Sequence, residues 1–214
     1  IKNESIIKVG SAVKDSELSK FCEKNNIGDF EFINGIPGTV GGNIKMNAGC
    51  FGKEISNNLV SCTILNRKSE IITLSKDQID FQYRKTNFEK STIILSADFK
   101  FSYKEKNLII KKKNQISNKR KKTQPFAIRT GGSTFTNPNK QLSAWKLIDK
   151  IGYRGRIIGG AQVSSKHSNF LVNFNKASSL DIELLGEEIR EKIKKKFKIK
   201  LDWEIERIGK FKKI

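Results

Sequence analysis

Residues 35–49 read GIPGTVGGNIKMNAG, with five glycines, one proline and two asparagines in fifteen positions. Gly35, Gly38, Gly41, Gly42 and Gly49 permit turns with positive φ. They also let backbone N–H groups approach a ligand closely, and successive amides of this kind form an anion-binding nest. Pro37 stiffens the run, and Asn43 and Asn47 can bond to backbone or ligand. A phosphorylated cofactor is the ligand this chemistry favours. The run matches neither GxGxxG after a strand nor the lysine-bearing phosphate loop. It is expected to be neither an ordinary helix nor a core strand.

Four other places carry groups suited to catalysis or binding. Arg84 lies in FQYRKTNF among Phe81, Tyr83 and Phe88. It reads either as an anchor for phosphate or carboxylate, or as a surface arginine stacked on a ring. Ser133 follows two glycines in RTGGSTFTNP. It is a turn serine, or a proton donor if a charged partner and a dry site assist it. No GxSxG and no Ser–His–Asp order is present, which argues against a hydrolase. His167 and Asn169 lie in GGAQVSSKHSNFLVN. A lone histidine is more often a structural hydrogen-bonder than a catalyst, while Asn169 and Asn173 could contact a sugar or an amide. Glu204, beside Trp203 in LDWEIERIG, is a solvent-facing strand glutamate or an acid whose pKa burial would raise.

With one histidine in 214 residues, a histidine-rich metal centre is excluded, and no metal is expected. Cys22, Cys50 and Cys62 form no CxxC and make an odd set, so no disulfide framework is expected. The 42 Lys and Arg against 22 Asp and Glu give a formal charge of +20. Such a surplus suits a polyanion, a small anionic substrate or a simple lysine-rich solvated surface. The clusters Lys111–Lys113, Lys119–Lys122 and Lys194–Lys196 are not interleaved with stacking aromatics, which argues against nucleic acid. No apolar run approaches a membrane span.

Strands and helices alternate around these groups, giving an α+β or α/β class. Ser5–Val9 reads as a strand. Asp15 caps a helix to Asn25 on which Leu18, Phe21 and Cys22 share spacing. Asn57–Leu65 and Glu70–Leu74 form a strand pair about the turn Asn66–Ser69, and Ile93–Tyr103 is a further strand. Leu108–Gln124 is lysine-rich and reads as a linker or an exposed helix between two domains. Ser143–Ile151 is helical and Phe170–Phe174 a short strand. Leu180–Phe197 is a helix with Ile182, Leu185, Ile189, Ile193 and Phe197 on one face, capped by Ser178 with Asp181 three residues on. Trp203–Ile208 is expected as a final strand.

Taken in order, GIPGTVGGNIKMNAG, Tyr83–Arg84, GGSTFTNP, GYRGRIIGGAQVSSKHSNFLVN and WEIERIG resemble the signatures of the UDP-N-acetylenolpyruvoylglucosamine reductase (MurB) family across about residues 5–209. The resemblance implies an α+β protein: part of an FAD-binding domain over residues 1–113, then a substrate-binding α+β domain over residues 114–209. FAD would be held by Gly35, Ile36, Pro37, Gly38, Thr39, Gly41, Gly42, Asn47, Ala48 and Gly49. NADPH would reduce the flavin, whose N5 would pass hydride to the enolpyruvyl β-carbon. Ser133 would protonate the α-carbon, with Arg84 and Glu204 holding the carboxylate and stabilising an enolate-like intermediate. Arg84, Ser133, His167 and Asn169 would bind the UDP-sugar. A cytoplasmic, monomeric enzyme of peptidoglycan synthesis is implied, without nucleic-acid or membrane partners.

This sequence departs from the family pattern at Thr86 (serine is usual), at Phe51 (tyrosine) and at Trp203 (proline). The family begins with a further glycine-rich segment, so the chain is expected to be N-terminally incomplete. A non-catalytic or decayed fragment of such a reductase, and a basic nucleic-acid-binding module, are the competing readings.

Overall fold

In the computed structural model, which describes residue 1, residues 5–139 and residues 141–209, the chain forms two units. The first ends at Arg120 and the second begins at Lys121.

The first unit is built on period-two alternation. In β1 (Ile6–Gly10), Ile7 and Val9 face inward. A helix, α1 (Asp15–Lys24), follows, then a short helix, α2 (Val40–Lys45), and two-residue strands β2 (Gly49–Cys50) and β3 (Lys53–Glu54). β4 (Leu59–Leu65) and β5 (Ile71–Ser75) pair from Ser61↔Ser75 to Leu65↔Ile71, as the expected strand pair requires. Their turn is held by Asn66, whose Oδ1 accepts from the Lys68 and Glu70 N–H groups at 2.9 and 3.0 Å. β6 (Phe81–Gln82) and β7 (Lys85–Thr86) form a small hairpin. β8 (Ile93–Lys100) completes an antiparallel sheet in the order β1-β8-β4-β5. It ends three residues before the expected Tyr103, which instead bridges to Ile27. Cys62, Ile64, Ala97 and Phe99 on the sheet meet Leu18, Ile44 and Ile55 in one apolar core.

The lysine-rich run is a helix, α3 (Lys106–Thr123), which runs past Arg120. It is not exposed all round. Ile109, Lys113 and Ile116, at helical spacing, are buried. The Lys113 Nζ is accommodated there by donating to Glu23 at 2.5 Å and to the Ser19 carbonyl.

The second unit holds β9 (Thr130–Ser133), α4 (Ala144–Lys150), β10 (Ile157–Ile158), β11 (Ala161–Val163), β12 (Phe170–Asn173) and α5 (Ser179–Phe197). Its antiparallel sheet has the order β10-β11-β12-β9. α5 packs along β10, β11 and β12 through Leu185, Ile189 and Ile193. Burying each contributes roughly 1.5–3 kcal/mol. Its start is the expected capping box: Ser178 Oγ accepts from the Asp181 N–H, and Asp181 Oδ2 accepts from the Ser178 N–H.

The expected strand Trp203–Ile208 does not form; only Trp203 makes an isolated bridge, to Phe135. The reason is lateral attachment. Side chains of this segment are bound to α5, and the chain bends at Glu204 and Ile205 instead of extending along a partner. Among the described residues, no helix is long and apolar enough to cross a membrane, and no group of three or more His, Cys, Asp or Glu could hold a metal ion.

Candidate active-site elements

The glycine segment of the first unit is partly helical, contrary to the expectation from its composition. Two things offset the glycine cost in α2. Val40 and Ile44 are wholly buried, and Thr39 caps the helix by accepting the Gly42 N–H at 3.4 Å. The amides expected to form a nest are largely used within the protein. Val40 N–H donates to Val13, Gly41 to Ser11, Asn43 to Thr39 and Ala48 to Asn43, at 2.8–3.0 Å. What faces solvent is the backbone at Gly35, Pro37, Gly38 and Gly42, with Ile36 and Thr39 half-buried. Gly35 has φ +84°, a region that disfavours a side chain. At Gly49 the requirement is space, because a Cβ would overlap the Lys53 carbonyl oxygen.

Arg84 is drawn onto this segment. It occupies the tight turn of the β6–β7 hairpin with φ +55°, a left-handed conformation costing about 1–2 kcal/mol. Its guanidinium donates to the Asn47 carbonyl at 3.2 Å and the Gly49 carbonyl at 2.6 Å, and lies 3.8 Å from Glu54 Oε1. Of the three aromatics near it in sequence, Tyr83 stacks on it, at 4.9 Å. Thr86 Oγ1 donates to the Lys45 carbonyl, tying the hairpin to α2. Asn47 is buried with φ +43°, and its amide donates to Glu54 and to the Gln82 carbonyl. Its Oδ1 meets no donor among the described residues.

Two cations of α3 join this segment, although the sequence marks them only as part of the basic cluster Lys119–Lys122. Arg120 lies against Gly35, 3.4 Å from where a Cβ would stand, and Lys119 sits 4.7 Å over the Phe51 ring. Both were hidden in a run that looks uniformly solvated. Burial pushes the Cys50 thiol up, Arg120 and Arg84 partly oppose it, and the thiol donates to the Phe32 carbonyl at 2.8 Å. Exposed backbone, the Arg120 guanidinium and the Lys119 ammonium suit a diphosphate, and the open Asn47 acceptor suits a ring N–H. These residues therefore fit a dinucleotide cofactor.

In the second unit Ser133 ends β9, half-buried and paired with Phe170. The next residues turn toward Glu204. Glu204 N–H donates to the Thr134 carbonyl at 2.8 Å, Thr136 N–H donates to the Asp202 carbonyl at 3.0 Å, and Phe135 bridges Trp203. Two residues distant in sequence are thus held on neighbouring backbones. Asn169 is buried, and its side chain pairs with both backbone groups of Phe135, at 2.8 and 3.0 Å. It secures the strand that follows Ser133. Buried Thr134 adds to this, accepting the Leu171 N–H through Oγ1.

His167 is half-buried between Trp145 and Phe170, whose ring it meets edge-on at 4.9 Å. Burial lowers its pKa, Arg154 lowers it further and Asp149 opposes. The ring is therefore neutral at pH 7. Its Nδ1 accepts the Asn169 N–H, so the remaining proton belongs on Nε2, which can donate.

A family model described as the C-terminal domain of UDP-N-acetylenolpyruvoylglucosamine reductase matches residues 124–208, and an FAD binding domain model matches residues 1–75. The reductases of Rickettsia massiliae and Rickettsia canadensis are each 44% identical, over 94% and 95% of this chain and 68% of their own length. A crystal structure of the Thermus caldophilus enzyme aligns with TM-score 0.83 and 26% identity, covering 94% of this chain and 71% of that one. With 44% identity across 68% of its relatives' length, the chain belongs to the UDP-N-acetylenolpyruvoylglucosamine reductase family.

Proposed function

We propose that this chain carries the reduction of UDP-N-acetylglucosamine enolpyruvate to UDP-N-acetylmuramate, with FAD as cofactor and NADPH as reductant. The observation that carries the reading is the pairing of the Ser133 strand with the Glu204 segment, which brings a hydroxyl and a carboxyl from distant sequence onto adjacent backbones. Gly35, Ile36, Pro37, Gly38, Thr39, Gly41, Gly42, Asn47, Ala48 and Gly49 would form one wall of the FAD site. The chemistry that FAD supplies when bound is hydride transfer from NADPH to the enolpyruvyl β-carbon.

The protein's residues handle the proton and the charge. Ser133 Oγ donates a proton to the substrate α-carbon. A serine hydroxyl is a weak acid, so the step needs charge balance nearby. Arg84 holds the substrate carboxylate and lowers the energy of the enolate-like state, and its ties to Asn47 and Gly49 fix the direction of approach. Glu204 stabilises the same state. Neutral His167 offers Nε2–H to the substrate, and Asn169 serves the site by holding the strand beside Ser133. The reading includes a monomeric enzyme without nucleic-acid or membrane partners.

The test is NADPH oxidation by the FAD-loaded protein with and without UDP-N-acetylglucosamine enolpyruvate. Acceleration by the UDP-sugar with formation of UDP-N-acetylmuramate is expected. A flavin-loaded protein whose NADPH oxidation ignores the UDP-sugar would sink the reading.

A further inference from the structure

The segment that carries Glu204 has almost no regular structure of its own beyond the bridge from Trp203 to Phe135 and the backbone bonds on either side of it. The Trp203 side chain adds a second restraint. Its indole lies over Gly186 in the middle of α5, where a Cβ would overlap the ring. A mid-helix glycine costs about 0.5–1 kcal/mol relative to alanine, and here it opens a notch for the indole. The indole meets the Phe135 ring at 5.0 Å, and its N–H donates to Glu187 Oε1 at 3.0 Å. Arg207 stacks on the indole at 4.8 Å and reaches Glu183 at 2.6 Å and Glu187 at 3.1 Å. Arg190 grips Glu187 through both carboxylate oxygens and donates from Nε to the Leu201 carbonyl at 2.8 Å. The chain is therefore tied to α5 before and after Glu204. On the other flank, Ile205 packs against Gly131, two residues before Ser133.

Glu187 suits the role of anchor. Burial works against its ionisation, but the indole N–H, Arg190 and Arg207 outweigh it and hold the carboxyl below its usual range. It remains a charged acceptor at neutral pH, and a hydrogen bond to a charged acceptor is stronger than a neutral one.

We propose that Trp203 and Glu187 are positioning residues for Glu204: the indole, seated in the Gly186 notch and held by Glu187, fixes the backbone that presents Glu204 beside the Ser133 strand. This rests on the reading of Glu204 as a group that acts on the substrate. A purely structural clamp would affect stability and every catalytic step alike. A positioning clamp affects the step that uses Glu204.

The experiment uses the full-length FAD-loaded reductase and follows two half-reactions by stopped flow: flavin reduction by NADPH and flavin reoxidation by the UDP-sugar. Trp203→Phe keeps a ring and loses the N–H. Glu187→Ala loses the anchor, and Glu187→Gln keeps an oxygen that can accept. Small misplacements of reacting groups cost up to about 100-fold, so Trp203→Phe and Glu187→Ala are expected to slow reoxidation about 10-fold or more. Reduction by NADPH and the KM for the UDP-sugar stay near wild type, Glu187→Gln recovers most of the rate, and the two losses are not additive. Reoxidation at the wild-type rate in Trp203→Phe, while Glu204→Gln is slow, overturns the positioning role. So does equal slowing of both half-reactions. Wild-type reoxidation in Glu204→Gln instead overturns the reading of Glu204 on which the clamp depends.

Discussion

The glycine segment of the first unit and the Ser133–Glu204 region of the second hold their groups still with different materials. The first is backbone-built. Amides of α2 are bonded to Ser11 and Val13, and Arg84 is oriented by the carbonyls of Asn47 and Gly49. The second is built from side chains: an amide pairing with a strand, an indole in a helix notch, carboxylates gripping arginines. A backbone-built wall tolerates loss of side chains and fails when atoms are added. A side-chain-built site tolerates little loss, because each group has one job. Substitutions that remove atoms should therefore hurt the second region most, and substitutions that add atoms the first.

The largest effect is expected from Ser133→Ala. Removing a positioned proton donor costs about 100- to 10,000-fold, so turnover of the UDP-sugar should collapse by that factor. Flavin reduction by NADPH should survive, because the strand's bonds run through its backbone and through Asn169, not the hydroxyl. Normal turnover in this variant would mean that the second region serves structure alone. Arg84→Met comes next, with turnover down about 100- to 1,000-fold. Unlike Ser133→Ala, it should also weaken FAD retention, since the Asn47 and Gly49 carbonyls lose their donors. Equilibrium dialysis of the flavin separates the two. If Arg84→Met kept its FAD, the arginine would belong with the side-chain-built site alone.

Gly49→Ala tests the opposite susceptibility. The added methyl overlaps the Lys53 carbonyl, which belongs to a paired strand and cannot simply move aside. A loss of about 1–3 kcal/mol is expected, read as a lowered Tm with flavin release. Gly52→Ala is the control. At φ +82° it has nothing within 4 Å of the added atom, so only the backbone strain of about 1 kcal/mol applies.

The same contrast explains what could be read from the sequence. The Ser178 capping box and the α5 stripe are local patterns and appear in the structure where they are expected, whereas of the five glycines in residues 35–49 only Gly35 and Gly38 take positive φ. The α2 helix was missed because composition speaks against it while burial of Val40 and Ile44 rescues it. Arg120 was missed because nothing distinguishes it from neighbouring lysines until α3 places it against Gly35. The Trp203 clamp is invisible in the sequence for another reason: it depends on Gly186 and Glu187, seventeen and sixteen residues away on a helix, and no period connects them. An expected strand became a laterally tethered segment for the same cause. Local rules describe the parts, and long-range side-chain pairs decide how the catalytic groups are offered.

The last test, read in stability alone, asks whether the backbone-built wall has a side chain besides Arg84 that it cannot spare. Asp15 is only 1% exposed, at the start of α1 beneath Gly38. Burial raises its pKa to about 6, and the 2.7 Å hydrogen bond from Asn43 only partly offsets this. Its Oδ2 meets no donor among the described residues. The sign follows from linkage. The folded state holds this proton more tightly than the unfolded chain, whose Asp pKa is about 3.9. Stability from Asp15 is therefore complete below about pH 4 and is lost as pH rises through about 6. Asp15→Asn carries no charge to desolvate and can still accept from Asn43. It should match the wild type near pH 4 and exceed it by roughly 1–3 kcal/mol above pH 7, as a raised Tm with a flatter pH profile. Thermal unfolding of the flavin-free protein at both pH values checks this. Repeating it with FAD bound sharpens the result. If the advantage vanishes only in the loaded protein, the open Oδ2 has received a donor with the cofactor, and Asp15 joins Arg84 as a side chain on which that wall depends.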